Sequence, residues 1–209
     1  MIQSRIRVKM CGMTRVEDVE HAIDLGVDAI GLIFYPKSSR FLTIEKAEQL
    51  LKNIPPFVDV VAVMVNPERN AVQQIIDELP VTLLQFHGDE SPDFCHEFGM
   101  PFIKAMHATT TEQIQQLTNE FLSAKAILLD TASASSRGGT GITFDWSIIP
   151  ETLSKPYILA GGLNEVNVLD AIKVCTPYAV DVCSGIEALP GVKDHQKMSR
   201  FIKALWGKE

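Results

Sequence analysis

Three kinds of residue in this 209-residue sequence have the type and setting for chemistry. The first is Cys11, in "RVKMCGMTR" (7–15), where a short apolar-alternating run gives way to a glycine. A buried cysteine ordinarily acts as a small hydrophobe, whereas a thiol beside positive charge becomes a thiolate that can take a proton or attack carbon. The second is Asp130, which ends "AILLD" and precedes "TASASSRGGTGITFDW" (131–146), a Ser- and Gly-rich stretch suited to folding over a ligand. A strand-end aspartate can simply cap a turn, but such a loop beside it favours catalysis. The third is a pair of small-residue turns, Gly161–Gly162 in "AGGLN" and Ser184–Gly185 in "CSGIE". Glycine lets a ligand approach the backbone and helix N-termini favour anions, so the two turns together point to a phosphate. Arg40, in "YPKSSRFLT" (35–43), adds a fixed charge whose planar fork suits a carboxylate.

These residues need a frame, and the hydropathy rhythm supplies one. Eight short β-branched or apolar runs recur: 6–10, 29–34, 60–65, 81–86, 101–106, 126–130, 156–161 and 178–183. Helical-period segments alternate with them over 15–26, 43–54, 67–79, 110–122 and 164–175, several opening on Thr, Pro or Asn. Eight βα units without a Pro/Gly/Ser-rich linker predict one domain over 1–209, a (β/α)8 TIM barrel of eight parallel strands. The chain is shorter than the roughly 250 residues usual for that barrel. Some helices must therefore be abbreviated, and "FDWSIIP" (144–150) leaves room for a turn or two. Chemistry in such barrels sits where strands end, and phosphate commonly sits after strands 7 and 8. That places Cys11, Asp130, Gly161, Gly162, Ser184 and Gly185 on one rim.

A net charge of −7 argues against nucleic acid and anionic membrane as partners, since both demand clustered Lys and Arg. Apolar runs such as "VDVVAVMV" (58–65) fall short of the roughly 20 residues that span a bilayer. The opening "MIQSRIRVK" lacks a signal-peptide core, so a soluble cytoplasmic protein is expected. Cys11, Cys95, Cys175 and Cys183 form no C-x-x-C pair and have no ligand spacing with the five histidines. Neither a disulfide framework nor a metal site is predicted.

The ordered set "KMCGMTR", "YPKSSR", "LLQFHGDE", "LLDT" with "GGTGITFDW", "LAGGLN", and "DVCSGIE" with "PGVKD" resembles the phosphoribosylanthranilate isomerase family along nearly the whole chain. The resemblance implies an Amadori rearrangement in tryptophan biosynthesis, in which N-(5'-phosphoribosyl)anthranilate becomes 1-(2-carboxyphenylamino)-1-deoxyribulose 5-phosphate. By the same resemblance Asp130 is the acid that protonates the furanose oxygen, and Cys11, as thiolate, is the base that removes the C2' hydrogen. Arg40 would contact the anthranilate carboxylate. Gly161, Gly162, Ser184 and Gly185 would hold the phosphate, with His87 and Asp181 also on the rim. The partner is then a small phosphorylated substrate, and no cofactor is implied, because the substrate's nitrogen is the electron sink. Lys9, two positions before Cys11 and on the same strand face, is the cation expected to lower the thiol. Two rivals stay open: a Schiff-base phosphosugar aldolase using Lys104 or Lys9, and a non-catalytic phosphate-ligand sensor. Barrel closure further predicts that Cys11 and Cys183 are neighbours.

Overall fold

The structure is a computed structural model that describes residues 5–107, 110–130 and 146–207. Eight strands close in chain order: β1 (Arg7–Cys11), β2 (Ala29–Ile33), β3 (Asp59–Met64), β4 (Leu83–Phe86), β5 (Phe102–Met106), β6 (Ala126–Asp130), β7 (Tyr157–Ala160) and β8 (Ala179–Val182). Every neighbouring pair is parallel, and β8 returns to β1 with Lys9 opposite Asp181 and Met10 opposite Val182. The predicted barrel is therefore the observed one.

Both faces of each strand are buried, which is why the strands read as apolar runs rather than as alternating ones. Successive side chains still point to opposite faces. Met10, Ile30, Leu32, Ala62, Leu84, Ile127, Leu159 and Val180 join the outer core under the helices. Cys11, Val61, Val63, Ile103, Ala105, Leu128, Ile158 and Ala179 form two smaller clusters within the barrel. Small side chains there leave room at the strands' C-terminal ends for polar groups.

The helices are α1 (Val16–Asp24), α2 (Ile44–Leu50), α3 (Arg69–Glu78), α4 (Pro92–His96), α5 (Thr111–Glu120), α6 (Val168–Cys175) and α7 (His195–Trp206). Thr43, Ser91, Thr110 and Asp194 cap α2, α4, α5 and α7 through side-chain oxygens that accept first-turn N–H groups. Between β6 and β7 the described residues hold only a 3-10 turn, Trp146–Ile148, in keeping with the abbreviation expected there.

Three features go beyond the sequence reading. Helix α4 has five residues, too few to display a helical period. Helix α7 buries Met198, Phe201 and Ile202 at helical spacing and so packs its apolar face on the barrel. A short antiparallel pair, β9 (Glu187–Leu189) with β10 (Val192–Lys193), follows β8 and turns at Gly191, whose φ is +82°. That hairpin brings Glu187 and Lys193 back to the rim.

Candidate active site

Lys9 and Cys11 are two residues apart on β1 and both face inward, as the strand period requires. Lys9 Nζ lies 2.9 Å from Asp181 Oδ2, and the pair is almost wholly buried, at 4% and 8% side-chain exposure. Burial alone would lower the Lys9 pKa, but Asp181 and Cys11 outweigh it and the net direction is upward, so Lys9 stays an ammonium. Asp181 Oδ1 is buried without a hydrogen-bond partner among the described residues.

Cys11 has Cys183 as its hydrogen-bonding neighbour on the adjacent strand end. Two glycines make the approach possible. Gly31, the register partner of Cys11, would put a Cβ 2.6 Å from Cys11 Sγ and 3.1 Å from Lys9 Cε. Gly12, at φ +72°, would put one 3.0 Å from Cys183 Sγ and 2.6 Å from Arg40 Cδ. Hydrogen bonding to Cys183, followed by burial, raises the Cys11 thiol well above its ordinary value despite Lys9. Accepting that hydrogen bond lowers Cys183 to about 7, with Lys193 and Arg40 helping against burial. The sequence reading expects the thiolate on Cys11, whereas the surroundings of the two thiols favour negative charge on Cys183 over Cys11. Lys9 spends its charge on Asp181, while Lys193 and Arg40 face the second thiol.

Lys193 Nζ, fully buried, stands 3.1 Å from Cys183 O, 3.8 Å from its Sγ and 3.0 Å from Glu187 Oε1. Glu187 also receives Arg40 side-on, Nε to Oε1 at 2.7 Å and Nη2 to Oε2 at 2.5 Å, and the N–H of Gly191 at 3.1 Å. Burial would raise the Glu187 carboxyl, but Arg40 and Lys193 hold it below its ordinary value. Arg40 is thus anchored by its Nε edge, and no hydrogen bond from Nη1 is seen among the described residues.

Across the barrel mouth, Gln85 Nε2 lies 3.1 Å from His87 Nδ1, and His87 Nε2 lies 3.2 Å from Asp130 Oδ2. The Oε1 of Gln85 is buried and has no partner among the described residues. The His107 ring sits 5.5 Å from that of His87. His87, His107 and Asp130 bring one ligand atom each within 4.8 Å of one another, the one such set among the described residues with the donors for a metal ion.

The loops after β7 and β8 meet backbone to backbone. Gly161 and Gly162 adopt φ of +86° and +66°, and a Cβ at Gly185 would collide with the carbonyl of Leu163. Asn164 and Asn167 brace the turn into α6, Asn167 Oδ1 accepting from Asn164 N at 2.9 Å and its Nδ2 donating to Gly162 O at 3.0 Å.

One cavity of about 230 Å³ is lined by Cys11, Gln85, His87, Asp130, Gly161, Gly162, Asp181, Cys183 and Ser184 together with apolar neighbours. Arg40 and Gly185 stand behind this lining, the first beside Cys183 and the second under Leu163. The expected covering loop, 131–145, lies outside the described residues. Sequence reasoning did not assign Gly31, Gln85, Glu187 or Lys193. A glycine inside a strand run is a signal of close backbone approach, and Gln85 shares a strand face with His87; both were readable. Lys104, the candidate imine lysine, belongs to the outer layer, where it meets Glu90 at 3.0 Å and the carbonyl of Phe86 at 3.4 Å. That removes it from the cavity, and Lys9 is held as an ammonium rather than a free amine.

Comparison with known proteins agrees with this layout. The family model for N-(5'-phosphoribosyl)anthranilate isomerase matches residues 8–204. A protein of that name from Legionella pneumophila (strain Lens) is 71% identical over 99% of this chain and 100% of its own length. One from Azotobacter vinelandii is 50% identical over 95% of this chain and 96% of its own. The crystal structure of phosphoribosyl anthranilate isomerase from Thermotoga maritima superposes with a TM-score of 0.86 at 37% identity, covering 97% and 100% of the two chains. Another isomerase structure, in complex with reduced 1-(o-carboxyphenylamino)-1-deoxyribulose 5-phosphate, gives 0.82 at 35% identity over 97% of this chain and 100% of that one. With a barrel closed in the same order and matches that run from one end of the chain to the other, the protein belongs to the phosphoribosylanthranilate isomerase family and catalyses the aldose-to-ketose isomerisation of tryptophan biosynthesis.

Proposed function

We propose that Cys11 is the general base and Asp130 the general acid of this isomerisation, acting on N-(5'-phosphoribosyl)anthranilate within one catalytic domain spanning 1–209, in the cytoplasm. The observation that carries the assignment is their common cavity, with the thiol pair on one wall and the His87–Asp130 pair on another. Asp130 protonates the furanose oxygen, the ring opens, and the anilinic nitrogen is left as an iminium. That cation acidifies the C2' hydrogen, which Cys11 removes, and the resulting enolamine becomes the ketone.

The hydrogen bonds supply both proton movements. Cys11 enters as the donor to the Cys183 thiolate; passing its hydrogen across leaves the negative sulfur on Cys11, beside Lys9, just as the substrate develops positive charge. On the other wall, turning the Gln85 amide over lets Oε1 accept from Nδ1–H of His87. His87 Nε2 then accepts from a protonated Asp130 and holds that proton in place until the furanose oxygen replaces Nε2 as its acceptor, and the orphaned oxygen of Gln85 gains its partner.

The substrate lies with its phosphate on the backbone N–H groups of Gly161, Gly162, Ser184 and Gly185. Its anthranilate carboxylate meets the Nη1 side of Arg40, and Asp181 Oδ1 accepts a ribose hydroxyl. The rearrangement needs no cofactor, since the substrate nitrogen holds the electrons. No helix among the described residues is long and apolar enough to cross a membrane. The test follows the loss of substrate fluorescence with purified protein. Cys11→Ser and Asp130→Asn are each expected to lower kcat by about 10²–10⁴-fold with KM little changed. Turnover near that of the parent enzyme in either variant removes that residue from its role.

A further inference from the structure

We propose that Cys183 is a site of oxidation by hydroperoxides, and that its sulfenic acid closes onto Cys11 as a reversible disulfide joining the first and last strands of the barrel. The inference goes beyond the assignment of Cys11 as base and rests on it only for the loss of activity.

Cys11 and Cys183 follow the register pair Met10–Val182 on adjacent parallel strands. Such strands run about 4.8 Å apart, within the roughly 4.4–6.8 Å that a disulfide needs between Cα atoms. Both thiols are free and line the same cavity, and a Cβ on Gly12, the residue after Cys11, would stand 3.0 Å from Cys183 Sγ. Cys183 is the more exposed of the two, Cys11 being buried, so Cys183 is the more open to an oxidant that enters. Lys193 Nζ at 3.8 Å and the nearby Arg40 favour a negative sulfur there, and the thiolate is the form that reacts with peroxide. The remaining cysteines offer no competition, because burial pushes Cys95 up to about 12 and Cys175 up to about 11.

The chemistry balances with a hydroperoxide as oxidant. The Cys183 thiolate attacks one peroxide oxygen, the O–O bond breaks and hydroxide or alkoxide leaves, giving the sulfenic acid. Cys11 sulfur then attacks Cys183 sulfur; the S–S bond forms, the S–O bond breaks, and the oxygen departs as water with the Cys11 proton. Two thiols have lost two electrons and two protons, and the peroxide has become water plus water or an alcohol. A dithiol reverses the step by exchange. With its sulfur in the bond, Cys11 can no longer become a thiolate, and a disulfide sulfur is far too weak a base to take the C2' proton.

The test treats the reduced protein with hydrogen peroxide, alkylates the remaining thiols and maps the peptides, with activity followed in parallel. A Cys11–Cys183 linked peptide is expected to grow in as activity falls at least tenfold, and both changes should reverse with dithiothreitol. Cys95→Ser should behave like the parent protein. In Cys183→Ser, measured against its own starting rate, the dithiothreitol-recoverable loss should vanish. Recovery by dithiothreitol without the linked peptide, or oxidation of Cys11 with Cys183 still alkylatable, overturns the proposal, and the parent protein's map decides this even if Cys183→Ser does not fold. Should the linked peptide form while the rate is undiminished, the disulfide stands and the assignment of Cys11 as base falls instead.

Discussion

Glu187 grips Arg40 along one edge of its guanidinium, at 2.7 and 2.5 Å, while the same carboxylate takes the buried Lys193 at 3.0 Å. Arg40 is therefore a positioned cation, and the position depends on a residue of the β9–β10 hairpin. Glu187→Gln keeps the shape and removes the charge. We expect KM to rise about tenfold, the equivalent of roughly 1.4 kcal/mol, with a smaller change in kcat. A substrate analogue lacking the carboxylate should show little of that change; an equal effect on both would mean that Glu187 acts elsewhere.

The thiol pair sets a pH dependence whose sign follows from Cys183. As the pH falls through about 7 Cys183 takes up a proton and the pair loses its negative charge; as it rises, the pair comes to hold one proton between two sulfurs. Thus the thiol pair should give kcat/KM an acid limb that rises with pH and is centred near about 7. In Cys183→Ser the base must come from Cys11 alone, so the limb should move to higher pH. Profiles of both proteins from about pH 5.5 to about 9 decide it, and an unmoved limb rules out the shared proton.

Gly31 faces Cys11 across the β1–β2 register. Its φ is not in the left-handed region, so alanine there brings no backbone strain. The added methyl instead meets Cys11 Sγ at 2.6 Å and must push the sulfur aside. Gly31→Ala should retain the fold by circular dichroism and lose about 10²-fold in kcat, the scale expected when a reacting group moves by about 1 Å. A kcat within a factor of two of the parent would show that the thiol has other room.

A stability prediction comes from the outer layer. Glu90 pairs with Lys104 at 3.0 Å, both nearly buried, and accepts the N–H of Asn66 at 2.8 Å. Glu90→Ala leaves a buried ammonium with only carbonyl partners, at a cost of about 3–5 kcal/mol. For a chain of this size the melting temperature should fall by roughly 10 °C, with kcat at low temperature preserved because Lys104 does not line the cavity. Calorimetry beside a rate measurement separates the two effects.

The eight strands were legible because a parallel sheet covered on both faces forces continuous apolar runs, and their ends located Cys11, Asp130 and the two glycine turns on one rim. Helix α4 escaped because five residues show no period. The local sequence carries no mark of the direction in which the two thiols polarise: that depends on Lys193 and Arg40, which arrive from distant parts of the chain, and on Asp181 drawing off the charge of Lys9. Gln85 went unassigned although its spacing from His87 was in plain view, since a glutamine gains meaning only when its buried oxygen is found without a partner.

The ion pair of Lys9 with Asp181 joins residues 172 positions apart, on the first and last strands of the barrel. During synthesis or refolding Lys9 has no counter-charge until β8 is in place, and burying it earlier would strand an ammonium in an apolar interior. Closure of the barrel is thus a long-range, late event, of the kind that folds slowly because a large loop must be ordered before any contact rewards it. Catalytic competence should therefore be the last property a refolding chain regains, arriving after its helical circular dichroism and in step with the disappearance of Lys9 from reagents that modify exposed amines.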